Sequence, residues 1–372
     1  MPVLRSFYPS SKTKKIVKTD DWHIHYDDGT NELDLLSGGL SFICGQSNSD
    51  IVSGLEQKLL TVARAQSNKG HETDETIRAG EILTQGVWHS YSWALSGTNA
   101  VESAISMNDE YWHYLGEDKP YIISFPFTWH GSSYLTKSFC VPDLQDHPAN
   151  RVIPVTDKSK LESVINDKVG CIIFETSTFV NNIRPHSEDW WRRVRKICDD
   201  NNILMITDDV ASCWGRCKAY HPYQTIGYGI QPDISAVGKS LAGGYVPFGA
   251  AVCNEKVGQV ISQEGRWKYP GTWQPSMAGI YLMLNTYDYM EKHDLIRKSF
   301  DIEQQLIQLG TTLISDDVIE NYRTNGTYFA FDVKQKTEYS GYSSTKAPNT
   351  IKGCAPLIAD NTYFKELEQR IR

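Results

Sequence analysis

The sequence predicts an α/β fold: a large covered sheet joined to a smaller α+β part built from both chain ends. Three observations carry this. Six short apolar runs lie between residues 91 and 253, helical patterns separate them, and the flanks read as hairpins and a closing helix. The runs are "YSWAL" (91 to 95), "YIISF" (121 to 125), "CIIFE" (171 to 175), "ILMIT" (203 to 207), "ISAVG" (234 to 238) and "GAAVC" (249 to 253). Strands apolar on both faces belong in a largely parallel sheet covered on both sides. Between them, "SEDWWRRVRKICDDNN" repeats Trp191, Val194, Ile197 and Cys198 at helical spacing, with charge on the opposite face. Strand and helix alternate, which is the α/β pattern.

The ends differ. "WHIHYDDGTNELDLLSGG" (22 to 39) predicts a hairpin around "DDGT"; "NYRTNGTYFAFDV" (321 to 333) predicts strands, and "TYFKELEQRIR" closes the chain as a helix. The expected division is a large domain over 46–292, with 1–45 and 293–372 forming the small domain. The polar stretch "KQKTEYSGYSSTKAPNT" is the expected mobile loop.

Composition narrows the function classes. The 372 residues carry 45 acidic against 37 basic side chains, a net charge of -8, which argues against a nucleic-acid surface. The N-terminal "MPVLRSFYPSSKTKK" lacks an apolar signal core and no run is long enough to span a bilayer, so a cytoplasmic protein without membrane contact is expected. The cysteines, Cys44, Cys140, Cys171, Cys198, Cys213, Cys217, Cys253 and Cys354, lie mostly in apolar runs and read as reduced core thiols. Cys213 and Cys217 have no second Cys/His pair nearby, so no metal is expected.

In an open parallel sheet, ligands bind beyond the carboxyl ends of the strands. "SGTNAVESAISM" puts Ser96, Gly97 and Thr98 at a helix start, either an anion site or a cap with Asn99 and Glu102 as a capping box. "PFTWHG" puts Trp129 and His130 beside Gly131, where the indole stacks on a planar ligand or packs on its own domain. Asp208 and Asp209 follow a buried strand, a costly place unless they face a cation, a Mg2+ ion, a protonated ring nitrogen or solvent. Lys239 follows "ISAVG". A phosphate loop, G-x-x-x-x-G-K-[ST], would need glycine where Asp233 stands, so that reading fails on its spacing. A lysine desolvated on a glycine turn suits Schiff-base chemistry.

Together these stretches resemble the class III, ω-aminotransferase-like family of pyridoxal-phosphate enzymes, of the aspartate-aminotransferase fold type (fold type I). "SGTNAVESAISM" is similar to the family's phosphate turn, "TWHG" to its aromatic-His-Gly motif, "FETSTFVNNIRP" to its acidic strand-end segment, "ILMITDDVASCWGR" to its aspartate block and "GKSLAGGYVPFGA" to its lysine motif. "VESAISMNDEYWHYLGEDKPYIISF" also resembles the diaminopelargonic acid synthase branch. The resemblance implies a mostly parallel seven-stranded sheet and a pyridoxal 5'-phosphate cofactor. It makes Lys239 the Schiff-base lysine and Asp208 the partner of the ring nitrogen, with Val210 beneath the ring and Trp129 above it. Gly97 and Thr98 would bind the phosphate, Thr272 of "PGTW" would reach the phosphate of a neighbouring subunit in a homodimer, and His130 and Glu175 would lie beside the cofactor.

The implied activity is transamination, moving an amino group from an amine or amino acid to a carbonyl or keto-acid acceptor in two half-reactions. The alternatives are an aminomutase of the glutamate-1-semialdehyde type, a racemase or a decarboxylase on the same fold, and lastly a non-catalytic or nucleotide-binding module. The sequence departs from the family at Asp209, at Ala211 and Ser212, in "TSTFVNN", in "TWQPSMAG" and in "SGGLSFICG". No arginine stands where many members bind a substrate carboxylate; Arg323 precedes a family-like strand, and Lys352 is near the expected spot.

Overall fold

The computed structural model describes residues 14–139, 151–263, 267–334 and 349–372. Cys140 and nearly all of the expected mobile loop lie outside the described residues.

The chain begins with a three-stranded antiparallel sheet, β1 (Ile16–Asp20), β2 (His23–Tyr26) and β3 (Asn31–Leu33). The expected "DDGT" turn joins the last two: Asp28 Oδ1 accepts the Thr30 N–H and Gly29 takes a positive φ of 81°. Short helices α1 (Ser37–Leu40), α2 (Ser49–Val52) and α3 (Leu55–Thr61) lead to α4 (Asp74–Thr84).

The centre is a seven-stranded sheet. Its strands are β4 (Ser90–Ala94), β5 (Tyr121–Ser124), β6 (Val152–Pro154), β7 (Val169–Glu175), β10 (Leu204–Asp208), β11 (Ile234–Val237) and β12 (Gly249–Cys253). Two-residue strands β8 (Ser177–Thr178) and β9 (Arg184–Pro185) pair outside it. The spatial order is β4-β12-β11-β10-β7-β5-β6. Only β12 runs antiparallel to its neighbours; the remaining pairs are parallel. The six expected strands are all present. The seventh, β6, is three residues ending in proline at the sheet edge, too short to leave a periodic signal.

Both faces of this sheet are covered, which is why its strands are apolar throughout. Helix α5 (Gly97–Tyr114) packs Ala100, Ala104 and Ile105 into one cluster with Ile173, Ile206 and Ala236. On the other face α6 (Glu188–Asp200) brings Trp191, Val194, Ile197 and Cys198 against Ile172, Phe174 and Met205. The alternation along β7 and β10 sorts side chains between the two covers. By the same parity Glu175 and Asp208, at the ends of these strands, lie on the α5 face.

After α7 (Glu255–Gln263), α8 (Met277–Lys292) and α9 (Leu295–Ser315), a second antiparallel sheet forms from β13 (Ile319–Asn325), β14 (Tyr328–Val333) and β15 (Thr350–Cys354), and α10 (Asn361–Ile371) ends the chain. β15 begins inside the stretch expected to be loop. The two chain ends meet: Cys354 N donates to Leu35 O at 2.7 Å and Leu357 N to Ile43 O at 2.7 Å. The seven described cysteines are buried free thiols. No helix among the described residues is long and apolar enough to cross a membrane.

Candidate active site

The carboxyl ends of β7, β10 and β11 lie side by side. Asp208 is the register partner of Glu175 on one neighbour and of Ala236 on the other. Lys239 comes three residues after Ala236, so the acid and the amine flank one strand-end crevice, as expected of an open α/β sheet.

Asp208 is 4% exposed and both its oxygens are held. Oδ2 accepts from His130 Nδ1 at 2.8 Å and Oδ1 accepts the Val210 N–H at 3.1 Å. The capping contact with Val210 fixes the carboxylate plane, and the imidazole fixes its other edge. Asp209 takes a separate set of donors: Thr207 Oγ1 at 2.9 Å, Ser235 Oγ at 2.9 Å and Ser212 Oγ at 3.0 Å. Burial raises the Asp209 carboxyl and the hydroxyls oppose that shift. The two aspartates therefore do not act as a pair. One holds a histidine and the other closes a core hydroxyl network, which removes the two-carboxylate metal reading.

Lys239 sits at φ 43°, in the left-handed region, on a 3-10 turn closed by Leu241 N to Gly238 O at 3.0 Å. Such backbone strain in a non-glycine residue is held only by well-determined surroundings. Burial pushes its amine below the usual lysine range, while Asp208 and Glu175 pull it back. The amine makes no hydrogen bond to any described residue. Glu175 is buried, and burial raises its carboxyl well above the ordinary value, with Asp208 pushing the same way and the Trp129 N–H, 3.1 Å from Oε2, opposing.

The glycines form a cradle. A Cβ on Gly97 would overlap Val210 Cγ1, and one on Gly238 would lie 3.1 Å from Gly97 Cα. Gly131, at φ 115°, brings its turn against Thr98: a Cβ there would lie 2.6 Å from Thr98 Oγ1. Ser96, not Asn99, is the N-cap of α5, accepting the Asn99 N–H at 3.2 Å. Asn99 Oδ1 accepts the Leu95 N–H at 3.0 Å, so the helix is capped three residues before the expected box, and by Ser96 alone. Gly97 N and Thr98 N donate to no described residue, leaving two amide donors at the positive end of an 18-residue helix. These donors, the cradle and the unpaired amine fit a planar aldehyde bearing a phosphate.

Three expected residues stand less centrally. Trp129 is half-buried and anchored through its backbone to Glu175; Thr272 is exposed; and Arg323 is engaged elsewhere, donating to Asp332 at 2.6 and 2.8 Å and to Asn182 O at 2.9 Å.

A family model described as aminotransferase class-III matches residues 8–353. The chain belongs to the class III aminotransferase family. Similar relatives include the acetylornithine aminotransferase of Aquifex aeolicus, 28% identical over 66% of each chain. The adenosylmethionine-8-amino-7-oxononanoate aminotransferase of Corynebacterium glutamicum is 24% identical over 68% of this chain and 65% of its own. The chain thus spans just under two thirds of these two relatives. Among solved structures, a transaminase from the marine bacterium Virgibacillus superposes with a TM-score of 0.89 at 16% identity, covering 99% of this chain and 95% of that one. The transaminase fold is thereby shared across nearly the whole length.

In this class III aminotransferase one residue stands out that motif reading left at the margin. Lys352 on β15 is 3% exposed. Its Nζ donates to Phe179 O at 3.2 Å and Val180 O at 3.3 Å and lies 5.1 Å from the Phe179 ring centroid. Burial, partly offset by Glu175, pushes its amine down to about 8. The signal in the sequence was a lone lysine in a strand whose other residues are apolar or small.

Proposed function

We propose that this class III aminotransferase is a pyridoxal-phosphate-dependent transaminase that moves an amino group from an amino acid or amine to a keto-acid acceptor. The observation that carries the proposal is the half-buried Lys239, whose amine is held below the usual lysine range by desolvation and makes no hydrogen bond to any described residue, across a strand end from a carboxylate locked by His130. Gly97 N, Thr98 N and the Thr98 hydroxyl would hold the phosphate. Val210 would support one face of the ring and Trp129 the other, with Glu175 at its edge.

When bound, the cofactor supplies an electron sink for charge developing at the substrate Cα. The remaining work belongs to the chain. Asp208 would hold a proton on the ring nitrogen, and His130 would keep Asp208 in place. Lys239, depressed as a base by burial, would take the proton from substrate Cα and return it at the cofactor's C4'. Lys352 would bind a substrate carboxylate with the N–H not given to Phe179 and Val180.

We further propose a homodimer. Leu95, Tyr134 and Trp273 are exposed large side chains, and Thr272 next to Trp273 would complete the partner's phosphate site. The division into a large domain over 46–292 and a small one from both ends belongs to the same reading.

Incubation with pyridoxal phosphate should give a coloured protein in which borohydride fixes the cofactor to the peptide containing Lys239. Colour and labelling that persist in Lys239→Ala would defeat the proposal.

A further inference from the structure

The stretch from Lys268 to Thr272 is fastened along α5, the same helix whose first turn offers Gly97 and Thr98. Lys268 N donates to the buried Glu110 at 3.0 Å, and Lys268 Nζ lies 4.6 Å from the Tyr114 ring centroid. The side chain of the next residue reaches back toward the helix start: Asn99 Nδ2 donates to Tyr269 OH at 2.9 Å, and Tyr269 OH donates to Glu102 Oε2 at 2.8 Å. Asn99 thereby joins two jobs, since its Oδ1 accepts the Leu95 N–H on the phosphate turn itself. Burial, followed by Glu102, pushes the Tyr269 phenol up to about 12, so it stays a donor. Beyond this clamp the chain turns at Gly271 to Gln274, and Thr272 and Trp273 are left exposed. Three residues of chain span about 10 Å at most, so Tyr269 limits where Thr272 can stand.

We propose that Tyr269 is a positioning residue that holds the Thr272 loop against the phosphate-binding turn of its own protomer, and so sets the cofactor affinity of the partner's site. The inference rests on the reading that Thr272 reaches the phosphate across a dimer. Two protein hydrogen bonds converge on this phenol, three residues before the exposed Thr272. Freeing the loop would add the entropy of ordering it to every cofactor binding event.

The test is titration of apo-protein with pyridoxal phosphate, read by absorbance, for wild type, Tyr269→Phe, Thr272→Ala and the double variant, with sedimentation to follow the dimer. Tyr269→Phe should raise Kd about tenfold without dissociating the dimer, as the loss of a pair of hydrogen bonds predicts. The double variant should be no weaker than Thr272→Ala alone, because the phenol acts through the threonine. Glu102→Gln keeps an acceptor and should stay near wild type. Thr272→Ala without effect removes the underlying reading. An effect of Thr272→Ala with none from Tyr269→Phe, additive losses in the double variant, or a monomeric Tyr269→Phe overturns the inference.

Discussion

His130 Nδ1 and Asp208 Oδ2 lie 2.8 Å apart with both side chains closed off from solvent. A carboxylate can only accept, so the imidazole donates through Nδ1. With Val210 N on the other oxygen, Asp208 has one fixed orientation at the end of β10. Asp208→Asn keeps the volume and loses the anionic acceptor. Its kcat should fall about 10²- to 10³-fold, in the range seen when one electrostatic stabiliser is lost from a site. His130→Ala strips a donor from a buried carboxylate and should cost about 1–3 kcal/mol of stability, measured by denaturant unfolding. An Asp208→Asn enzyme of ordinary turnover would remove Asp208 from the chemistry.

Gly97 and Val210 should behave as one unit. Alanine at 97 would drive its Cβ into Val210 Cγ1, so Gly97→Ala should push the valine into the crevice and weaken cofactor retention about tenfold. Val210→Ala clears that space. The double variant should recover most of the affinity, a coupling that distant sites do not show. Dialysis of the holoenzyme followed by absorbance reads this directly, and losses that simply add would show that the two residues are not in contact at the site.

How much of this was legible depended on how local each signal is. The six strands of the sheet were readable because burial on both faces leaves unbroken apolar runs, and their ends pointed to Asp208 and Lys239. The His130 to Asp208 bond joins residues 78 apart and leaves no mark in either segment. A two-carboxylate Mg2+ site stayed among the alternatives because adjacency in sequence hides that consecutive side chains diverge, Asp208 toward His130 and Asp209 into a hydroxyl network. Lys352 arrives from a strand of the C-terminal sheet, and only the folded chain brings it to Phe179 and Glu175. β6 and β1 are too short or too exposed to carry a period.

A carboxylate-binding Lys352 would make the site sensitive to pH. Its amine titrates near 8 rather than at the ordinary lysine value, so it is cationic below about 8 and neutral above. If it binds the carboxylate of the acceptor, KM for a keto acid should rise as pH climbs through that value. Lys352→Met should raise KM about 10- to 100-fold at pH 7, leave kcat nearly unchanged, and lose the rise. Steady-state kinetics from pH 6.5 to about 9.5 decide it, and an unaltered KM in the variant would mean that another group receives the substrate.

Trp273 gives the sharpest test of the dimer. It is 59% exposed although it is large and apolar, it follows Thr272 directly, and Tyr134 on the turn beside Thr98 is 71% exposed. An indole this exposed beside Thr272 is a side chain that a second copy of the chain would cover. A charge placed there must be desolvated when two copies meet, at a cost of several kcal/mol unless it finds a partner. Trp273→Asp should therefore shift the protein from dimer to monomer in sedimentation at micromolar concentration. Because Thr272 would then be missing from the phosphate site, the same variant should lose its colour on dialysis even though Lys239, Asp208 and His130 are untouched. A Trp273→Asp protein that remains a dimer, or a monomer that keeps its cofactor as tightly as the wild type, would show that each protomer completes its own site.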